Sequence, residues 1–484
     1  MKNSINSSRQ IYAVRHAKWR LLRSQSVVIA GFWPPSRLYN VPFVLCLIFP
    51  LLLTNCTPAN EEASQTTTTI PVEPTFDQNQ YLDTRLTREV LHDKILGMLV
   101  GSAIGDAMGA PTEMWPRKQI EIEYGFVDSL DKVIREPSPE GPWAFNLSPG
   151  GTTDDTRWKK LTVEYLLEQT EGNRSHQAPV LDARKFASFI VQKYRRDMEQ
   201  LKATDSFDPE PFEVNARKMT WLQEWALVAK PYMEKDLDGY ALAVNRFYGG
   251  EMACAGMLYA PAIGAFYPGR PEVAYEEAFK LSLFDIGYAR DITGLTAAMT
   301  AAALSANSHP DSVMSVIRDI DPHHYFKSRL LGRTAYRFFK QAKYIAHEVA
   351  QMDSSDVRAM ALDIPRDYRR DSLQFARTQR AYERLEDQLQ DIPFHAGEIF
   401  LVNATALLVS KMDFALALEF VINFARDNDT TGAVTGAILG AYHGFDQLPD
   451  DLVERVLATN KNELEIDLED LATKLTNRIL ERVE

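Results

Sequence analysis

The chain has 484 residues, 45% hydrophobic and 25% charged, with three Cys and a formal net charge of −13. That composition fits a soluble globular protein with ample sequence for a large core. So acidic a chain is, as a whole, a poor match for nucleic acid or an anionic membrane, and three cysteines make no disulfide scaffold.

Residues 1–56 stand apart. They contain Lys2, Arg9, Arg15, Lys18, Arg20, Arg23 and Arg37 and no Asp or Glu. An apolar run from Val41 to Leu53 follows and ends at Leu53-Thr54-Asn55-Cys56. A positive segment, a short apolar core and a cleavage point form the pattern of an export signal. The run is short for a membrane-spanning helix, and Pro50 disrupts it further. Leu-x-x-Cys resembles the lipobox of bacterial lipoproteins, in which the Cys is acylated and becomes the first mature residue. The expectation is an exported protein of the bacterial cell envelope, lipid-anchored at Cys56 and touching the membrane only through that anchor. Asn55 departs from the small residue usual there, and the long stretch before the apolar run leaves a later start codon open. An organelle transit peptide and a plain secretory signal are the other readings. Without those seven cations, 46 basic residues face 66 acidic ones, a net of −20. Cys254 is then left without a disulfide partner.

Residues 57–85 hold a threonine run, three prolines and several acids. This is a flexible polar tether. From residue 86 to 484 helical spacing dominates. Leu91, Ile95, Met98 and Leu99 make one apolar stripe; Trp158, Leu161, Tyr165 and Leu166 make another. Asp291 is placed to cap an alanine-rich helix through Leu304. Amphipathic runs cover 324–351, 367–390, 397–410 and 413–424, and the last core run is 430–443. Strand alternation is scarce. The fold class expected is all-α: a single compact multi-helix domain over 86–484, monomeric, with a metal-bearing cleft.

Glycine recurs every four residues at Gly97, Gly101, Gly105 and Gly109, and again at Gly432, Gly436, Gly440 and Gly444. Each costs a helix interior about 1 kcal/mol. Two such stripes predict two buried helices in close contact. Both stretches read as too short and too polar to cross a bilayer, with Asp106 in one and His443 in the other. Their contact would unite the acids near Glu113 with those near Asp427.

Two acidic clusters lie at opposite ends of the domain, each just before a run that looks helical: Gly151-Thr152-Thr153-Asp154-Asp155-Thr156 and Arg426-Asp427-Asn428-Asp429-Thr430-Thr431-Gly432. Carboxylates and hydroxyls are hard oxygen donors, suited to Mg²⁺, Mn²⁺ or Ca²⁺. Each cluster taken alone could simply cap a helix. As a calcium loop the second cluster fails, because its twelfth position is Ile438 where a bidentate Glu belongs. As Asp-x-Asp-x-Thr it is similar to the nucleophile motif of haloacid-dehalogenase phosphatases, a reading that requires a doubly wound sheet.

Taken in order, three segments resemble ADP-ribosylglycohydrolases. Gly97 through Glu113 resembles the opening helix of that family, Gly151–Thr156 its first metal motif, and Asp427–Ala433 with Gly436–Ala441 its second. The resemblance spans about 95–445. It implies an all-α fold with two divalent cations, Mg²⁺ above all and otherwise Mn²⁺ or Ca²⁺, at the base of a cleft. It implies Thr153, Asp154, Asp155, Asp427, Asp429 and Thr430 as metal ligands and Glu113 as the mobile acid near the substrate. Glycosidic cleavage needs positive charge tolerated at the anomeric carbon, an oriented sugar and an activated water. A carboxylate must also move the proton, and Glu113 is the first candidate, Asp155 the second. The expected activity is metal-dependent hydrolysis of an ADP-ribosyl or related ribosyl glycosidic bond, small-molecule or protein-linked. The alternatives are the haloacid-dehalogenase-like phosphatase, a non-catalytic metal-dependent binding protein on the same fold, and a structural surface protein that needs neither metal. The middle of the chain departs from the family. Gly249–Met257 keeps only the small-residue character of the segment that binds the distal part of the ligand, and a Thr-His pair is missing near Phe284–Asp291. Cys254 reads as a buried small residue.

Overall fold

Glycine at every fourth position lets two helices approach until their backbones touch. The helices are Arg88–Gly109 and Asn428–His443. A Cβ on Gly97, Gly101 or Gly105 would meet the backbone of Gly440, Gly436 or Gly432 within 3.0 Å, and the reverse substitutions meet the same partners. The pairing is antiparallel, so the C-terminal end of the first helix lies against the N-terminal end of the second. Gly109 accordingly abuts the backbone of Asn428 and Asp429. Gly436→Ala should therefore lower the melting temperature, because overpacking against a rigid carbonyl costs about 1–3 kcal/mol. On an open helix face the same change would raise it; a rise in a thermal melt would contradict the contact.

This computed structural model describes residues 85–134, 146–172, 178–360, 362–366 and 368–481. The expected export signal (1–56), Cys56 and all but the end of the tether lie outside the described residues. The described residues form nineteen α-helices and a few short 3-10 turns joined by loops, with no β-strand among them. Two isolated bridges occur, Val133 with Leu147 and Ala253 with His395. The doubly wound sheet that a haloacid-dehalogenase phosphatase requires is therefore not the architecture here. The all-α expectation holds.

The central pair is surrounded by Asp154–Gln169, Ala260–Phe266, Ala289–Ala303, Ala396–Val409 and Phe414–Phe424. Their facing residues are mostly Ala, Ile, Leu and Phe, nearly all fully buried. The segment Arg88–Thr112 is, contrary to expectation, long and apolar enough to cross a membrane by those measures alone. It is instead the core helix of the fold, with its most apolar stretch almost wholly buried and Asp106 fully enclosed. Lys94 ties two helix ends together. Its ammonium donates to the carbonyls of Ala303 (2.9 Å), Ala441 (3.0 Å) and Tyr442 (3.0 Å), where a cation complements both C-terminal dipoles.

Several boundaries differ from the sequence reading. The run expected over 324–351 is α-helical only over Thr334–Ala350, with a single 3-10 turn at Tyr325–Lys327 before it. Leu330 and Gly332 take positive φ (68° and 64°) and turn the chain ahead of it. Asp291 caps nothing. It lies inside Ala289–Ala303, where its carboxylate accepts from Arg333 (2.7 and 3.0 Å) and Tyr275 (2.6 Å). The core also continues past 443: Asp450–Glu463 and Leu468–Leu480 both pack on Arg88–Gly109.

Candidate metal centre

The end of the first glycine helix holds Asp106, which is fully buried. Its carboxylate accepts from the Thr153 amide and hydroxyl (both 2.9 Å), the Thr156 amide (3.0 Å) and the Thr156 hydroxyl (2.6 Å). A residue from another helix thus satisfies the free amides that open Asp154–Gln169. Asp154 and Asp155 are released from that duty and take up the first turn. Asp427 stands at the N-cap position of Asn428–His443 yet makes no capping hydrogen bond. The helix-cap reading of these acids, open on sequence alone, does not describe the geometry.

The backbone ahead of Asp427 is strained. Ala425 has φ 77°, ψ −149°, a region that belongs to glycine, and Arg426 follows at φ 68°. Two backbone hydrogen bonds hold this turn against the Glu113 segment: the Met114 amide to the Arg426 carbonyl (2.7 Å) and the Arg426 amide to the Trp115 carbonyl (3.2 Å). The Arg426 guanidinium in turn grips the buried Glu398 in a two-pronged pair (2.7 and 2.9 Å) and the Gln390 carbonyl (2.8 Å). Glu113 and Asp427 therefore face one another because their loops are stitched together.

Carboxylate oxygens of Glu113, Asp427 and Asp429 lie within 4.8 Å of one another. The Thr153 hydroxyl reaches Asp429 Oδ2 at 3.2 Å, and the Thr430 hydroxyl donates to Asp155 Oδ2 at 2.9 Å. All six residues proposed as ligands from sequence thus belong to one neighbourhood, though in different ways. Asp427 and Asp429 form the centre with Glu113. Asp155 joins through Thr430, and Asp154, half-buried, joins through the field it shares with Glu113 and Asp427. Glu113 is half-buried, whereas Asp155 is enclosed, its carboxylate within reach of Thr430 and Lys159.

The electrostatics match a site built for cations. Burial, then Glu113, pushes Asp154 up to about 6, and burial, Glu113 and Asp154 push Asp427 up to about 7. Burial raises Asp155 and Asp429 well above the usual carboxylate range, with neighbouring acids adding to it. Asp429 Oδ1 is buried without a hydrogen-bond partner. An uncompensated buried acceptor is costly, and a hard divalent ion is the group that an all-oxygen donor set of this kind satisfies. The residues present fit such an ion.

Two positioning groups escaped the sequence reading. Asp106 figured there as a polar residue in a glycine helix and among the acids that the helix contact brings together, but not as the group that holds the Thr153–Thr156 turn. Lys159, 1% exposed, donates to the Asp155 carbonyl (3.1 Å) and reaches Asp155 Oδ1 at 3.5 Å. Its spacing of four from Asp155 was the available signal. Cys254 is buried as expected, with its thiol 3.6 Å from Asp427 Oδ2.

The sequence profile of ADP-ribosylglycohydrolases matches residues 87–483. The chain belongs to the ADP-ribosylglycohydrolase family. This membership covers the glycine helices, both acidic clusters and the two C-terminal helices. Among curated proteins the chain is similar to the uncharacterized protein YegU of Escherichia coli K12, 37% identical over 78 residues. That stretch is 16% of this chain and 22% of the relative. It is also similar to the ADP-ribosyl-[dinitrogen reductase] glycohydrolase of Rhodospirillum rubrum, 37% identical over 71 residues, 15% of this chain and 21% of that one. The chain thus matches about a fifth of the length of these curated relatives. A solved ADP-ribosylglycohydrolase-related protein complex aligns with 81% of this chain and 99% of its own, at 17% identity and a TM-score of 0.47. Family membership points to a glycosidic-bond hydrolase, and the acidic cluster is a place among the described residues where a metal would fit.

Proposed function

We propose that the protein is a metal-dependent hydrolase cleaving an ADP-ribosyl or related ribosyl glycosidic bond with water activated at a two-cation site. The observation that carries this is the convergence of Glu113, Asp427 and Asp429 within 4.8 Å, beside Asp155 and Thr430, in a chain of this family. Thr153, Asp154, Asp155, Asp427, Asp429 and Thr430 would hold the cations, Mg²⁺ first among them. Bound there, the ions would supply Lewis acidity and fix the ribose hydroxyls.

The chain's own residues do the rest. Asp106 fixes the turn that carries Thr153, Asp154 and Asp155. Lys159 offsets the charge of Asp155 inside the protein. The Arg426–Glu398 pair holds the strained turn that aims Asp427. Glu113, half-buried at the same point, accepts a proton from the attacking water and returns it to the leaving group.

The test is turnover by the purified chain of ADP-ribosyl substrates, protein-linked and small, with and without Mg²⁺, Mn²⁺ and Ca²⁺. Metal-dependent release of the ribosyl group supports the proposal. Metal-dependent binding of the same compounds with no turnover would select the non-catalytic alternative.

We also propose that the chain is exported and anchored by acyl groups on Cys56, on the strength of the apolar run that ends there and the polar tether after it. Cys56→Ser should move the protein to the soluble fraction or stall its processing. Unchanged processing and membrane association in that variant would refute the anchor.

A further inference from the structure

Between Asp321 and Glu348 the chain carries six Lys and Arg and no acid, in a protein of net charge −13. Five of these cations are exposed: Lys327 and Arg329 in the loop, and Arg337, Lys340 and Lys343 on the helix Thr334–Ala350 that follows it. The sixth, Arg333, turns inward and pairs with the buried Asp291. At the tip of the preceding loop Leu330 is 93% and Leu331 65% exposed, with Phe326 at 40%. Leu330 adopts φ 68°, rare for a bulky residue, so the turn itself presents that side chain outward. Asp321, the nearest acid along the chain, is occupied in building the loop and accepts from the Tyr325 and Phe326 amides (2.8 and 3.0 Å).

The tip is continuous with a cavity. Phe326 meets Tyr336 edge-on at 5.1 Å, and the Lys340 ammonium lies 5.7 Å from the Tyr336 ring. Tyr336 forms part of the wall of a half-open cavity of about 440 Å³. Its other walls include Met314, Phe339 and Leu408, and the cations Arg318, Lys343 and Lys411 stand against the single acid Asp311. Arg318 is shared with Asp319 in an ion pair of 2.6 Å.

We propose that this surface docks on a bilayer rich in anionic phospholipid. Leu330, Leu331 and Phe326 would enter the acyl boundary, the surrounding cations would meet the headgroups, and the cavity would take one phosphate-bearing headgroup. Bare aliphatic side chains flanked along the chain by exposed Lys and Arg match an interface that is apolar inside and negative at its rim. Nucleic acid offers the charge but nothing for two exposed leucines. The chain's overall acidity predicts the opposite, yet salt screens charges beyond about 10 Å, so the local patch governs the contact. Such docking needs no acyl group on Cys56.

The experiment uses the full chain with Cys46→Ser, Cys56→Ser and Leu330→Cys, labelled at residue 330 with an environment-sensitive dye while Cys254 stays buried. Vesicles of phosphatidylcholine with phosphatidylglycerol should shift the emission to the blue. Phosphatidylcholine alone should not, and added salt should reverse the shift. The further changes Lys340→Glu and Lys343→Glu, on exposed positions, should abolish it while circular dichroism and substrate turnover stay unchanged. An absent shift on anionic vesicles overturns the proposal. So does a shift equal on neutral vesicles, one that survives the charge reversals, or one produced by duplex DNA and not by vesicles.

Discussion

Divalent metal should raise the melting temperature of the purified protein, and EDTA should lower it. Asp155, Asp427 and Asp429 are buried, and the half-buried Asp154 and Glu113 stand beside them. Without cations each ionisation is opposed by burial and by the neighbouring acids. An ion that binds only the folded cluster stabilises it by mass action. The linkage has a definite sign. The folded-state values of Asp154 and Asp427 are raised from 3.8 to about 6 and about 7. Groups raised in this way stabilise the fold while protonated, and that stability is lost as pH rises from about 4 through 7. The EDTA-treated protein should accordingly melt lower at pH 7 than at pH 5. The metal-loaded protein should show less of this trend, and metal binding should release protons to the buffer. Asp429→Asn should remove most of the metal response and reduce hydrolysis to background while helical content persists. Asp155→Asn should do the same, and the double variant little more, because groups acting on one centre are not additive. Were these acids only helix caps, Asn would replace Asp at small cost. Calorimetry that finds no binding at about millimolar Mg²⁺, Mn²⁺ or Ca²⁺ would defeat the metal assignment.

Glu113→Gln should lower kcat by about 10²–10⁴-fold, the usual worth of a positioned proton-transfer group. It should leave most of the metal-dependent rise in melting temperature in place, because Asp427, Asp429, Asp155 and Thr430 remain. The two readouts together separate its roles. Loss of turnover with the metal response kept marks Glu113 as the group that moves the proton. Loss of both marks it as a ligand, an outcome its distance to Asp427 and Asp429 makes worth measuring. Unchanged turnover would remove it from the chemistry and pass that role to Asp155, whose enclosed position among Thr430 and Lys159 suits it less.

The amino-acid sequence determined the helical class, because apolar spacing of three and four is local and survives without knowledge of partners. It also determined that two glycine helices must touch, since a repeated glycine is unfavourable in a helix unless a backbone lies opposite. From that contact alone the meeting of Glu113 with Asp427 followed. The tertiary structure decided which acids cap and which are free. Asp154 and Asp427 look like helix caps in the sequence, and only the arrival of Asp106 from another helix frees the first cluster. It decided that Asp291 pairs with Arg333, forty-two positions away, rather than opening its own helix. It placed Lys159 against Asp155 and strained the backbone at Ala425 and Arg426 to aim Asp427. These features were not legible because hydrogen-bond partners and positive φ depend on contacts between segments far apart in the chain. Residue type and spacing encode which face of a helix is buried; they do not encode what will be waiting on the other side.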